Sequence, residues 1–248
     1  MGTVTAAAAI SLAAAAASSP SGRRLRRGPV FVRCSSSAAD ERQALFSRIA
    51  PVYDQLNDVL SLGQHRTWKR ICVSWSRAKR GDRVLDLCCG SGDLAFLLSQ
   101  KVGLDGEVMA VDFSRQQLQN AADRQEQRWK LCYKNIKWIE GDALDLPFTG
   151  CYFDAVTVGY GLRNVVDKSK AMQEIFRVLK PGSVQVSRLF QHCYSGYGLT
   201  EEYKYLKSSI AQYFTGEELE KLAKEAGFSV AKHYELGGGF MGNLVATR

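Results

Sequence analysis

Three carboxylates and a pair of glycines carry the chemistry most open to view. Asp86 stands inside Arg83-Val-Leu-Asp-Leu-Cys-Cys-Gly-Ser-Gly-Asp93, Asp112 ends Gly106-Glu-Val-Met-Ala-Val-Asp112, and Asp142 follows Gly141 after the apolar run that starts at Ile136. Gly90 and Gly92 let the backbone turn tightly and come close to a ligand. The spacing Gly90-x-Gly92-x-x-Ala95 also fits the loose dinucleotide fingerprint, so the glycines alone admit NAD. Asp86 weighs against it, because a carboxylate sits badly beside a pyrophosphate. It suits a cationic ligand without phosphate, such as S-adenosylmethionine, whose sulfonium and amino groups are positive. Asp112 lies 20 residues after Gly92, where a carboxylate accepts ribose hydroxyls, a sugar both ligands share. Asp142, with the backbone of Ala143, can read an adenine amino group and a ring nitrogen. Dehydrogenases have no general need for that second acid. Ser91 in the turn and Gly159, just after the next apolar run, complete the expected cofactor set. The bland alternative is an ordinary strand, turn and helix in which Asp86 caps a neighbouring loop.

These groups need a sheet to present them. Val84, Leu85 and Leu87 read as a buried parallel strand, and Leu94, Leu97 and Leu98 as the helix after the turn. Gly106–Asp112, Ile136–Glu140 and Phe153–Val158 read as further strands, with a helix from Ser114 to about Tyr133 between two of them. Gly159-Tyr-Gly-Leu-Arg-Asn164 follows the fourth strand, at the carboxyl edge where open α/β sheets hold their ligands. A helix ending Glu174–Lys180 is stopped by Pro181-Gly182. Thr215 caps a helix over 216–226 closed by Gly227, and Phe228–Tyr234 with Asn243–Thr247 read as two antiparallel strands. Ahead of the glycine corner, Leu45, Phe46 and Ile49 form a helix ended by Pro51. A second runs from His65 through Trp75, with Trp68 and Ile71 on one face. Tyr53, Asp54, Asn57, His65, Arg66 and Trp68 make a dense polar and aromatic cluster, either capping and packing groups or a substrate wall.

The first 39 residues differ in kind. They are rich in Ala and Ser, carry Arg23, Arg24, Arg26, Arg27 and Arg33, and hold no acid before Asp40. That is the composition of an organelle transit peptide. The basic residues follow the alanine run, unlike a secretory signal. Val4–Ala17 is too short and too alanine-rich for the ~20 residues of a membrane span. Val32-Arg33-Cys34-Ser35 resembles plastid cleavage sites, so the expected organisation is a leader over 1–34 and one domain over 35–248, in the chloroplast. Without the leader's five arginines the formal charge falls from +8 to +3. The rest has no basic stripe interleaved with aromatics, which argues against nucleic acid. The seven cysteines show no zinc spacing and read as reduced thiols.

Together the motifs resemble the quinol C-methyltransferases of ubiquinone, menaquinone and phylloquinone synthesis, the UbiE/MenG family. The resemblance rests on Tyr53-Asp-x-x-Asn57, Ser61-x-x-x-His65-x-x-Trp68, Leu85-Asp-Leu-Cys-Cys-Gly-Ser-Gly-Asp93, Gly141-Asp-Ala-Leu-Asp-Leu-Pro-Phe148, Gly161-Leu-Arg-Asn164 and Arg177-Val-Leu-Lys-Pro-Gly182. It implies a class I methyltransferase fold, Rossmann-like and doubly wound, with an N-terminal helical cap. It further implies S-adenosylmethionine as cofactor and a prenylated quinol as substrate, met at a membrane surface, with no metal and room for homo-oligomerisation. On this resemblance Tyr53, Asp54, Asn57 and Trp68 face the substrate. A quinone carbon is a poor nucleophile, whereas a reduced quinol that sheds a phenol proton is a good one. Arg163 and Asn164 would hold the ring hydroxyl. Arg stays charged, so a water or His65 would take the proton. The plastid-like leader points to a naphthoquinol of phylloquinone synthesis over the mitochondrial benzoquinol of ubiquinone synthesis. An NAD-dependent reductase and a non-catalytic scaffold remain as alternatives.

One stretch departs from that pattern. Where the family has a second glycine, an apolar strand ending in an acid and then several dozen helical residues, this chain reads Gly182-Ser-Val-Gln-Val-Ser-Arg-Leu-Phe-Gln-His-Cys-Tyr-Ser-Gly196. Arg188 and His192 stand where apolar or acidic residues belong. The expectation is a truncated, weakened fifth strand, a missing helical piece beside the quinone pocket, and poor cofactor binding or inactivity.

Overall fold

A computed structural model describes residues 64–190, 214–236 and 241–248. The leader, the helix expected before Pro51, Tyr53, Asp54, Asn57 and His192 lie outside the described residues, as does the side chain of His65. The described chain runs α1 (His65–Trp75), β1 (Arg83–Leu87), α2 (Asp93–Val102), β2 (Glu107–Asp112), α3 (Arg115–Glu126), β3 (Ile136–Glu140), β4 (Phe153–Val158), α4 (Lys168–Val178), β5 (Leu179–Phe190), α5 (Gly216–Glu225), β6 (Val230–Leu236) and β7 (Met241–Thr247). Short 3-10 turns occupy Leu131–Asn135 and Gly161–Asn164.

The strands form one sheet in the order β3-β2-β1-β4-β5-β7-β6. β1 to β5 are parallel, and β7 runs antiparallel to both its neighbours. The chain steps outward from β1 to β3, then returns to lay β4 on the other side of β1. That reversal leaves a crevice over the carboxyl ends of β1 and β4, the usual ligand position in such sheets. Strand alternation divides the core. Leu85 and Leu87 enter one layer with Met172 and Ile175 of α4 and Leu219 of α5. Val84 enters the other, with Cys72 of α1, Leu98 of α2 and Leu118 of α3. Asp86 shares the Val84 face. The α/β architecture is therefore the one expected from the apolar strand runs.

β6 and β7 lie within two residues of their expected bounds, and two helix ends moved for reasons the side chains show. α3 stops at Glu126, before the expected Tyr133. The residues beyond lack an apolar stripe, and Trp129 is 88% exposed. The Gln125 side chain instead donates to the Tyr133 carbonyl and accepts from Trp138 Nε1 at 2.7 Å, which draws Tyr133 inward against Phe96. α4 ends at Val178, because Pro181 disfavours helical geometry in the residue before it.

The expected truncation of the fifth strand is not what the chain does. β5 spans 12 residues. It pairs β4 from Phe153↔Leu179 to Val158↔Ser187, and β7 from Val184↔Thr247 to Phe190↔Met241. A strand held on both sides satisfies its backbone whatever its side chains, and Val184 and Val186 still fill the core. The unusual sequence shows in the side chains: Gln185, Ser187 and Arg188 are all buried.

Candidate cofactor and active site

The glycine corner is built by backbone that few residues adopt. Cys88, Gly90 and Gly92 have φ of 55°, 55° and 87°. A side chain at Gly92 would overlap the Trp138 ring, whereas nothing lies within 4 Å of a Cβ added at Gly90. Gly90 thus leaves open space at the end of β1. Gly161 packs so closely on Cys88 that a Cβ there would collide with it. That contact seats the turn carrying Arg163 and Asn164 directly against the glycine corner.

The acids occupy three strand ends. Asp86 is fully buried; its Oδ1 accepts from the Thr157 hydroxyl at 2.9 Å, and its Oδ2 has no hydrogen-bond partner. Burial pushes its carboxyl from 3.8 up to about 7, against the pull of the Thr157 hydroxyl and, more weakly, of the Ala95 backbone N–H at the start of α2. Asp112 accepts from Gly90 N at 2.8 Å and Ser114 N at 2.9 Å, so it ties the glycine turn to Ser114, whose hydroxyl caps α3. Burial raises it to about 6. Asp142 accepts from Leu144 N at 2.9 Å just beyond β3, while the Ala143 side chain enters the core beside it. Gly159 follows β4, its Cα facing Leu94. Asp86, Asp112, Asp142, Gly90, Ser91, Gly92 and Gly159 therefore share one edge of the sheet, as their spacing suggested.

Arg163 is 9% exposed and Asn164 half-buried on the turn after β4. Trp68 is half-buried on α1, and His65 opens that helix. Sequence reasoning missed three groups. Thr157 meets Asp86 only through the pairing of β1 with β4. Asp93 accepts from Lys69 Nζ and Arg124 Nη2, each at 2.5 Å, and Arg124 Nη1 donates to the Ser91 carbonyl at 2.6 Å. This clamp ties α1 and α3 to the glycine turn. Burial pushes Asp93 up, but Lys69 and Arg124 outweigh it and hold its carboxyl at about 2. The third is Arg188. Cys88 and Cys89 are free thiols, raised well above their ordinary value by burial and then by Asp112, which leaves them poor nucleophiles. Among the described residues no group of side chains could hold a metal ion.

A buried carboxyl whose Oδ2 closes no hydrogen bond of good geometry, at the end of the sheet where Gly90 leaves open space, fits a cationic ligand. A pyrophosphate would leave Asp86 facing like charge. Sheet order, helical layers and this corner define the class I S-adenosylmethionine-dependent methyltransferase fold. Solved structures agree on the fold. A SAM-dependent methyltransferase from Aquifex aeolicus matches with TM-score 0.60 at 20% identity, covering 72% of this chain and 88% of that one. The cyclase SpnF matches with TM-score 0.66 at 16% identity, covering 84% and 95%. At such identities the likeness is one of fold, and a cyclase among the matches shows that fold alone does not name the reaction.

The chain belongs to the ubiE/COQ5 methyltransferase family, whose model matches residues 35–195 and 198–248. It is 59% identical over 249 residues to the 2-phytyl-1,4-beta-naphthoquinone methyltransferase, chloroplastic, of Arabidopsis thaliana, covering 92% of this chain and 94% of that protein. It is 47% identical over 229 residues to the 2-phytyl-1,4-naphtoquinone methyltransferase of Nostoc punctiforme, covering 84% and 99%.

Proposed function

We propose that this chain methylates a ring carbon of 2-phytyl-1,4-naphthoquinol, the reduced form of its relatives' named substrate, in the chloroplast. The observation that carries the cofactor half is the unpartnered Asp86 oxygen at the glycine corner. The relatives' names and the chloroplastic Arabidopsis protein support the substrate and the compartment. The arginine-rich, acid-free leader over 1–34 supports import into a plastid.

Bound S-adenosylmethionine supplies a methyl group made electrophilic by its sulfonium. The protein's own residues do the remaining work. Asp86 faces the positive end of the cofactor, Asp112 the ribose and Asp142 the adenine. Arg163 binds the ionising ring oxygen of the quinol and spreads its charge, and Asn164 fixes its orientation. The phenol proton leaves to water or His65, and the proton on the methylated carbon leaves afterwards to restore aromaticity. Substrate contact is assigned to Tyr53, Asp54, Asn57 and Trp68, on their match to the family's motifs. The phytyl tail of the substrate is met at a membrane surface. No helix among the described residues is long and apolar enough to cross a membrane. A homo-oligomer is compatible with this reading.

Import of a 1–40 fusion to a fluorescent protein tests the compartment. Competition between labelled S-adenosylmethionine and NADH tests the corner: displacement by NADH at equal concentration would sink the cofactor assignment. Turnover matching that of a chain carrying the family's full helical piece would show that the departure at 183–196 leaves the enzyme competent.

A further inference from the structure

β5 carries Arg188 to the carboxyl edge of the sheet on the same face as Asp86. The register fixes this: Asp86 pairs Thr157, Thr157 pairs Val186, and Arg188 stands two residues further on. Across β7 its partner is Asn243. Arg188 is 1% exposed and Asn243 fully buried. Neither the Nε, Nη1 and Nη2 of Arg188 nor the Oδ1 and Nδ2 of Asn243 has a hydrogen-bond partner. The guanidinium carbon lies 5.7 Å from the centroid of the Tyr160 ring. The side chain therefore leans back over the end of β4, toward the crevice. Burial pushes the Cys72 thiol up to about 11, and Cys72 lies within reach of both Arg188, which draws it down, and Asp86, which adds to the rise.

A guanidinium stays charged and offers five donors in a planar fork. Buried without an acceptor it carries an uncompensated desolvation cost, which an anion would remove. We propose that Arg188 and Asn243 form a receptor for an anionic oxygen, occupied by the carboxylate of the cofactor's methionine moiety. This rests on S-adenosylmethionine as the ligand. Asp142, just beyond β3, and Asp112, at the end of β2, take its adenosyl end and Asp86, on β1, its cationic centre. A ligand laid in that order extends its amino-acid end over β4, toward β5. The fork of Arg188 matches a carboxylate in two parallel hydrogen bonds, and the Asn243 amide adds a donor beside it. The ionised ring oxygen of the quinol shares this chemistry and is the competing source.

The test is calorimetric titration of the full chain with S-adenosylmethionine and with its decarboxylated analogue. Wild type should bind S-adenosylmethionine at least about 10-fold more tightly, the scale of a charge-assisted hydrogen bond. Arg188→Met should erase that gap, losing affinity for S-adenosylmethionine while holding the analogue within about twofold. Should Arg188→Met not fold, Arg188→Lys, with its charge but no fork, should narrow the gap. Equal loss for both ligands, or an unchanged gap, overturns the assignment. So does an intact gap joined to loss, in the variant, of pH-dependent quinol binding to the S-adenosylhomocysteine complex; that moves the receptor to the quinolate. Wild type binding both ligands equally overturns this inference alone. Wild type binding neither overturns the cofactor reading with it.

Discussion

Replacing Asp86 by asparagine separates what this carboxyl costs the empty protein from what it contributes to binding. Its carboxyl rises from 3.8 in the unfolded chain to about 7 in the folded one. The folded protein thus keeps a proton that the unfolded chain releases. Stability falls as pH rises through that window and is flat above about 7. The full loss is about 4 kcal/mol, taking 1.36 kcal/mol per tenfold change in proton affinity. Asparagine keeps the Thr157 hydrogen bond through its Oδ1 and has no proton to lose. At pH 8 the unliganded Asp86→Asn protein should therefore be more stable than wild type by up to ~4 kcal/mol, with little difference at pH 4. Cofactor affinity should move the other way. A cation favours the ionised carboxyl, so wild-type affinity climbs as pH rises through about 7, and the variant's stays flat and ~10- to 100-fold weaker. Urea denaturation at both pH values, with and without S-adenosylmethionine, reads both effects. Unchanged stability at pH 8 together with unchanged affinity would refute the reasoning.

Other changes probe the remaining parts. Gly92→Ala forces a Cβ into the Trp138 ring at φ 87° and should cost ~2–4 kcal/mol in urea denaturation. Asp93→Asn releases the Lys69 and Arg124 clamp and should raise the KM for S-adenosylmethionine more than it lowers kcat. Because its carboxyl is held low, the stability Asp93 gives is present above about pH 4 and lost as pH falls through about 2. The Asp93→Asn variant should show a flattened acid limb. Arg163→Lys should cut kcat ~10-fold or more with cofactor affinity unchanged, since Lys lacks the fork; unaltered turnover removes Arg163 from the mechanism. Gln185 has an unpartnered Oε1 and donates through its Nε2 to the buried Ser187 hydroxyl, so Gln185→Val alone strands that hydroxyl, whereas Gln185→Val with Ser187→Ala should stabilise the chain by ~1–2 kcal/mol in urea denaturation.

The strands and the glycine corner were legible because parallel strands covered on both faces are nearly all apolar, as Val84, Leu85 and Leu87 are. The doubly wound class was legible from the repeated strand and helix, but the order of the strands in the sheet was not. The end of α3 was not, since it depends on Gln125 reaching Tyr133 and Trp138. β5 misled because its side chains depart from the pattern while its backbone pairs β4 as far as Ser187 and β7 from Val184 to Phe190. The Asp93 clamp joins residues 24 and 31 positions apart, and Thr157 meets Asp86 across 71. No local spacing encodes those contacts; they follow from the sheet register and from which helices share a face.

The most direct test is to give the purified chain methyl-labelled S-adenosylmethionine with 2-phytyl-1,4-naphthoquinol kept reduced, and to follow the label. The account predicts labelled carbon on the naphthalene ring, dependent on reductant and cut ~5- to 50-fold by Asp86→Asn at cofactor concentrations near the wild-type KM. Label that stays on the cofactor although both ligands bind, or that lands on a ring oxygen, would contradict it.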